Sequence, residues 1–218
     1  ASITKVAATI PALMDLQEKG QMNLFSTLGS HFPELQYTNK SKLFLRDMLI
    51  HESGLRAWIP FYQETLPIRS KVYRSQSNEQ YSVPIAKNMY MDKSYVDKIF
   101  STINDSDLPT VGKYKYSDLG YFYFKKFIEK KTGQPMNEYV EKRFYQPLGL
   151  STMGFLPTNK FSTYSIVPSE NDTKWRRQNV HGYVHDMGAA MLGGVGGHAG
   201  LFSNANDLAI LMQMMLNS

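Results

Sequence analysis

Apolar residues at Ile3, Val6, Ile10, Leu13 and Met14 recur every three or four positions, the period of one helical face. The pattern predicts a helix over residues 2–19, closed by Gly20, which suits the left-handed position after a helix end. Pro11 falls inside this helix. It removes a backbone donor, leaves the Ala7 carbonyl without its helical partner and predicts a kink. Ser41 is placed to cap a helix carrying Leu45, Met48 and Leu49 and stopped by Gly54. Residues 56–91, rich in Tyr, Ser, Pro and Gln, predict irregular structure with room for short strands. A helix is predicted over 94–103. Another follows Tyr116-Ser117-Asp118, carries Phe124, Phe127 and Ile128, and stops at Gly133. Pro135 suits the first position of the next helix, which Pro147 ends. Residues 150–182 read as loop with one strand. Gly193-Gly194-Val195-Gly196-Gly197 is too flexible for helix or strand, and leads through Ser203 as N-cap into a helix over 204–218. Leu208, Leu211, Met212 and Met215 form the apolar stripe of that helix. Few segments alternate as strands do, so the predicted fold class is α+β and predominantly helical.

Composition narrows the classes. At 218 residues, 42% hydrophobic and 20% charged, the chain can build a core, and wholesale disorder is excluded. No run reaches the ~18 apolar residues of a transmembrane segment. The absence of cysteine excludes a disulfide scaffold, a thiol nucleophile and a thiolate metal site. Twenty-four Lys and Arg against nineteen Asp and Glu give a net charge of +5, which suits an anionic partner such as a cell-wall polymer, membrane surface or nucleic acid without choosing among them. The positives are scattered, and Lys125-Lys126, Lys130-Lys131 and Lys174-Trp175-Arg176-Arg177 read as solvated faces. The chain opens at Ala1 directly in a helical pattern and its last helical stripe simply stops, so a piece of something longer is expected.

Ser2-Ile3-Thr4-Lys5 puts a lysine amine one turn from a serine hydroxyl, on the same face of a helix N-terminus. A serine needs a base to take its proton, and lysine serves if its surroundings depress its pKa. A helix cap with a solvated lysine explains the same four letters. Tyr116-Ser117-Asp118 opens a later helix, where the tyrosine could relay a proton and Asp118 could orient Lys5, or Ser117 or Asp118 could simply cap. His51-Glu52-Ser53-Gly54-Leu55 reads as a helix end. His181 and His185 lack a carboxylate at metal-binding spacing. The glycine-rich segment lacks the Lys-Ser/Thr ending of a phosphate loop and reads as a close-packed border to a cleft.

In this order the segments resemble the serine β-lactamase and penicillin-binding-protein superfamily, in its class C-like branch of esterases and D-amino-acid peptidases. Ser2-Ile3-Thr4-Lys5 stands for the first catalytic motif, and Leu49-Ile50-His51-Glu52-Ser53-Gly54-Leu55 is similar to the family's HTSGL loop. Tyr116-Ser117-Asp118, with Gly120-Tyr121, Thr132-Gly133 and Pro147-Leu148-Gly149-Leu150, resembles the Tyr-x-Asn motif and its two following helices. Gly196-Gly197-His198-Ala199-Gly200-Leu201-Phe202-Ser203 with Asp207-Leu208-Ala209 resembles the glycine-rich entry to a later helix. Residues 168–186 resemble a bacterial branch often fused behind a family 3 glycoside hydrolase-like domain.

The resemblance implies a truncated piece of the β-lactamase/transpeptidase-like fold, a single incomplete domain over 1–218 without most of the central antiparallel sheet. It implies acylation of Ser2 by an ester, amide or β-lactam carbonyl, with Lys5 and Tyr116 sharing the proton work and Asp118 beside them. The substrate would be a small-molecule ester, peptide or β-lactam, peptidoglycan-derived in one version. No metal or organic cofactor and no nucleic acid partner are implied, the location would be the periplasm or cell envelope, and the oligomeric state stays open. Two departures stand out. Asp118 replaces the usual Asn, and an ionised carboxylate cannot donate to a substrate carbonyl, which leans toward ester substrates. His198-Ala199-Gly200 mimics the late Lys/His-Thr-Gly motif but leads into a helix, so half the oxyanion hole is missing and little turnover is expected. A non-catalytic relative that binds cell-wall material is the alternative.

Overall fold

The chain turns helical at once, with the Thr4 and Lys5 amides donating to the Ala1 and Ser2 carbonyls at 3.0 Å. In the computed structural model, which describes residues 1–217, the first helix changes pitch. Lys5–Thr9 form a π-turn, in which the Ile10 amide reaches back to the Lys5 carbonyl, and Ile10–Glu18 continue as α1. Gly20 follows at φ +68°. The widened turn stands where a kink is predicted. Nor is the Ala7 carbonyl orphaned by Pro11, because the buried Tyr145 hydroxyl donates to it at 2.9 Å.

The predicted apolar stripe of this helix is only in part its inner face, with Leu13 buried and Ile10 half-buried. Ala7, Ala8, Ala12, Leu13 and Leu16 are buried, whereas Ile3, Val6 and Met14 are 55%, 41% and 52% exposed. Small side chains let the helix backbone approach its neighbours closely, so three alanines together with Leu13 and Leu16 define the packed side while Ile3, Val6 and Met14 face outward.

Short elements follow: α2 (Leu28–His31) and α3 (Leu45–Leu49). Ser41 does not cap α3. Phe44 precedes it without a side-chain cap, and the Leu45 and Arg46 amides donate to the Ser26 and Leu24 carbonyls. Its end comes before Gly54, because His51 itself takes the left-handed position at φ +62°. Next come α4 (Arg69–Val72) and three strands, β1 (Tyr73–Arg74), β2 (Val83–Ala86) and β3 (Met89–Met91). They form an antiparallel sheet in the order β1-β3-β2, with Met91 opposite both Tyr73 and Val83.

Two longer helices complete the middle, α5 (Ser94–Asp105) and α6 (Leu119–Thr132), the latter ended by left-handed Gly133. Pro135 is the extended residue before α7 (Met136–Val140) rather than its first helical residue, and a second π-turn, Glu141–Tyr145, carries the chain toward Pro147. Residues 150–182 hold two strands where one is predicted: β4 (Glu170–Asp172) pairs antiparallel with β5 (Gln178–Val180). Three-residue strands, one all polar and one with only Val180 apolar, are too short for alternation to be read. The helix α8 (Met187–Met191), capped by Asp186, has no counterpart in the sequence prediction. Asn204, not Ser203, caps α9 (Ala205–Leu216) through the Asp207 amide, and Leu211 points inward. Ser218, the last position of the predicted helix, lies outside the described residues.

The fold is α+β and mainly helical. Its centre is α6, where Leu119, Phe122, Tyr123, Phe124, Phe127 and Ile128 are all buried; each such apolar side chain contributes about 1.5–3 kcal/mol. The first helix and its π-turn pack against α6, which brings the start of α6 to the start of the chain.

Candidate active site

Three local features aim the turn before α6. The Ser117 hydroxyl donates to the Arg56 carbonyl at 2.7 Å and accepts from the Leu119 amide at 3.1 Å, so Ser117 satisfies a helix-start donor. The Asp118 amide donates to the Ala57 carbonyl at 3.0 Å. His51 grips the same turn twice, its carbonyl accepting from Lys115 N at 2.8 Å and its Nδ1 from Ser117 N at 3.2 Å. Burial, and then the nearby Lys5 charge, hold the His51 imidazole below its ordinary pKa, which favours the neutral ring that can accept. That ring lies 4.6 Å from the Tyr116 ring.

These anchors free the Asp118 carboxylate from capping and turn it, with Tyr116, toward the first helix. Tyr116 Oη donates to Ser2 Oγ at 2.9 Å. Lys5 Nζ donates to Ser2 Oγ at 3.2 Å and to Asp118 Oδ1 at 2.5 Å, and its third acceptor is the His198 carbonyl at 3.5 Å. The amine also sits 5.0 Å from the Tyr116 ring centre and 5.2 Å from that of Tyr121. Burial, then the neighbouring Tyr116 and Asp118, push the Tyr121 phenol up to about 12, so Tyr121 stays protonated at neutral pH. All four predicted site residues thus meet, although Lys5 and Asp118 are 113 positions apart. Lys5 is buried, but Ser2 is exposed and Tyr116 is 40% exposed, so a reagent can reach the hydroxyl without displacing the amine.

The glycine-rich segment closes the far side. The Thr9 hydroxyl donates to the Gly197 carbonyl at 2.6 Å and the Leu201 amide to the Thr4 hydroxyl at 3.2 Å. A Cβ at Gly197 would collide with the Tyr121 carbonyl, so the close approach requires glycine. His51, read in sequence as part of a helix end, and His198, read as part of a motif mimic, instead accept from the Ser117 amide and the Lys5 amine respectively. The positive φ of His51 and the backbone contact of His198 leave no mark on residue type.

Other candidates are occupied elsewhere. Trp175 and Arg176 are buried, and Arg176 is paired with Asp172 and Glu170, so of the segment read as a solvated face only Lys174 and Arg177 are exposed. His181 Nε2 contacts the Ile166 carbonyl. Among the described residues, no three His, Asp or Glu side chains gather as a metal site would require.

The Beta-lactamase family model matches residues 1–218. An N-acetylmuramyl-L-alanine amidase of Bacillus subtilis (strain 168) is 32% identical over 235 residues, covering all of this chain and 49% of the relative. A protein of Escherichia coli (strain K12) named "Putative D-alanyl-D-alanine carboxypeptidase" is also 32% identical, over all of this chain and 50% of its own length. Among solved structures, the octameric penicillin-binding protein homologue from Pyrococcus abyssi aligns with a TM-score of 0.65 at 21% identity, over all of this chain and 44% of that one; at that identity the match speaks for the fold. The chain spans about half the length of the curated relatives it matches. A serine, lysine and tyrosine brought together on this fold agree with the family match, and the chain belongs to the Beta-lactamase family, within the serine β-lactamase and penicillin-binding-protein superfamily.

Proposed function

We propose that this chain carries the acylation centre of a serine hydrolase that opens an amide, ester or β-lactam carbonyl through an acyl-serine. The observation that carries the proposal is the triangle at Ser2: a phenol at 2.9 Å and an amine at 3.2 Å from one exposed hydroxyl, both within proton-transfer range. Ser2 Oγ bonds to the carbonyl carbon while its proton passes to the neighbour that presents a free lone pair, Lys5 as the neutral amine or Tyr116 as the phenolate. Collapse of the tetrahedral adduct breaks the bond to the leaving group, which takes that proton. Water then attacks the acyl-serine, giving the free acid and restoring Ser2.

The named activities of the two relatives, an amidase of N-acetylmuramyl-L-alanine and a D-alanyl-D-alanine carboxypeptidase, favour peptidoglycan-derived amides at the cell envelope. Asp118 modifies this choice. Its carboxylate is committed to Lys5 and, when ionised, has no hydrogen to give a substrate carbonyl, so recognition of the acyl group falls to backbone donors and esters are the better small substrates. Among the described residues, no strand carries a Lys/His-Thr-Gly-type sequence. Little turnover is therefore expected of the chain by itself.

Labelling with a fluorophosphonate and a fluorescent penicillin tests the proposal. The chain should be labelled and Ser2→Ala should not. Equal labelling of both proteins would remove Ser2 from the mechanism.

A further inference from the structure

His198 is read in sequence as part of a glycine-rich loop, in a His198-Ala199-Gly200 that mimics the late Lys/His-Thr-Gly motif. Its ring nevertheless has the most constrained surroundings of any histidine near Ser2. It is 2% exposed and stacks on Phe122 with ring centres 4.5 Å apart and an interplanar angle of 12°. Its Nε2 lies 2.8 Å from Asp186 Oδ1. That oxygen also accepts from the Ala189 amide at 2.8 Å as the cap of α8. Burial pushes the Asp186 carboxyl upward, but the His198 hydrogen bond and charge together with the Ala189 amide outweigh it and hold the group at about 2. The carboxylate is therefore ionised throughout the neutral range and fixes Nε2 as the protonated nitrogen. His198 Nδ1 is buried without a hydrogen-bond partner among the described residues, so Asp186 is the ring's one polar anchor.

The side chain is thus held on three sides: Phe122 of α6, Asp186 of α8 and the enclosing glycines. The loop backbone around it has little stiffness of its own, since Gly196, Gly197 and Gly200 flank it and Gly200 sits at φ +124°. What the ring fixes is its own carbonyl, and that carbonyl faces Lys5 Nζ at 3.5 Å.

We propose that His198, clamped by Asp186 and Phe122, is a positioning residue for Lys5, its carbonyl completing the set of acceptors that points the amine at Ser2. The proposal rests on the assignment of Lys5 to proton transfer. A neutral amine has two N–H bonds and one lone pair in tetrahedral array. With one N–H on Asp118 Oδ1 and the other on the His198 carbonyl, the lone pair is left facing the Ser2 hydroxyl. In the ammonium form, the third N–H takes the lone pair's place and donates to Ser2 Oγ. Without the His198 carbonyl the amine can rotate about its last bond while keeping Asp118, and the lone pair leaves the serine. Misplacement of a reacting group by about 1 Å costs on the order of 10²-fold in rate.

The test compares the second-order rate of fluorophosphonate labelling in wild type, His198→Ala, His198→Gln and Ser2→Ala. His198→Ala should slow labelling by about 10²-fold. His198→Gln, which keeps an N–H for Asp186, should recover most of the rate. Wild-type labelling by a folded His198→Ala protein would overturn the proposal while leaving Ser2 in place, whereas labelling of Ser2→Ala would instead overturn the Ser2 assignment. A second measurement does not depend on activity or on a mutated clamp. In protein labelled with ¹³C at the histidine carbonyls, the His198 carbonyl resonance should move between wild type and Lys5→Met, and an unmoved resonance would show that this carbonyl does not hold the amine.

Discussion

Two ion pairs built on a buried cation differ in how far they are closed off from solvent. Arg176, in the β4–β5 connection, donates to Asp172 and Glu170 and to the Val184 and His185 carbonyls. Asp172 in turn accepts from the Lys174, Trp175 and Arg176 amides. Burial alone would raise the Asp172 carboxyl, but those amides and Arg176 hold it below its ordinary value. Every partner lies within nine positions of Arg176, so this pair is local, saturated and closed. Lys5–Asp118 joins residues 113 positions apart and leaves an exposed hydroxyl and phenol at its edge. The choice of cation follows. A guanidinium cannot lose its proton in a protein, whereas a lysine amine can. The closed pair has a cation that keeps its proton, and the pair beside the exposed hydroxyl has one able to release it.

Lys5→Arg probes this contrast most strongly. It keeps the charge and the Asp118 pairing but removes a titratable base, so fluorophosphonate labelling should fall by about 10²–10⁴-fold in a protein that still folds. Labelling at the wild-type rate would make Lys5 a structural cation like Arg176. The reciprocal change, Arg176→Met, strands the buried Asp172 carboxylate and should cost about 3–5 kcal/mol in denaturant unfolding, while the labelling rate of the folded fraction stays unchanged. A stability loss confined to the Lys5 variant would reverse the assignments.

The Asp186–His198 pair supplies a smaller, pH-dependent test. With its folded pKa near 2 against an ordinary 3.8, Asp186 contributes stability above about pH 4 that is lost as pH falls through about 2, roughly 2 kcal/mol in all. Denaturation across that window should therefore weaken wild type relative to Asp186→Asn. Parallel curves for the two proteins would show that Asp186 is not held ionised by the clamp.

The parts of the site that follow local rules were legible in the sequence. Ser2 and Lys5 are one helical turn apart and Tyr116 opens a helix marked by a glycine stop, so residue spacing predicts each piece, and the family resemblance predicts that they meet. The anchoring residues were not legible. His51 grips the turn because it adopts a left-handed backbone that its identity does not announce, and His198 contributes a carbonyl that any residue possesses. The five residues of α8, Met-Gly-Ala-Ala-Met, are too few to show a period; an aspartate cap and burial form that helix instead. The inner face of the first helix escaped for the opposite reason: large apolar residues gave a clear stripe, and the alanines that actually pack gave almost none.

The π-turn at Lys5–Thr9 has a geometric consequence for the chemistry. Such a turn accommodates one residue more than an α-helical turn, and one residue corresponds to about 100° of rotation around the axis. Ser2 and Lys5 are therefore dialled out of phase with the body of α1, which packs through Ala12, Leu13 and Leu16. The helix behaves as a shaft with a slipped coupling: its lower part is seated by the core, and its upper part is clocked to face Tyr116, so a change that restored ordinary winding could misdirect the nucleophile without disturbing a single residue of the site.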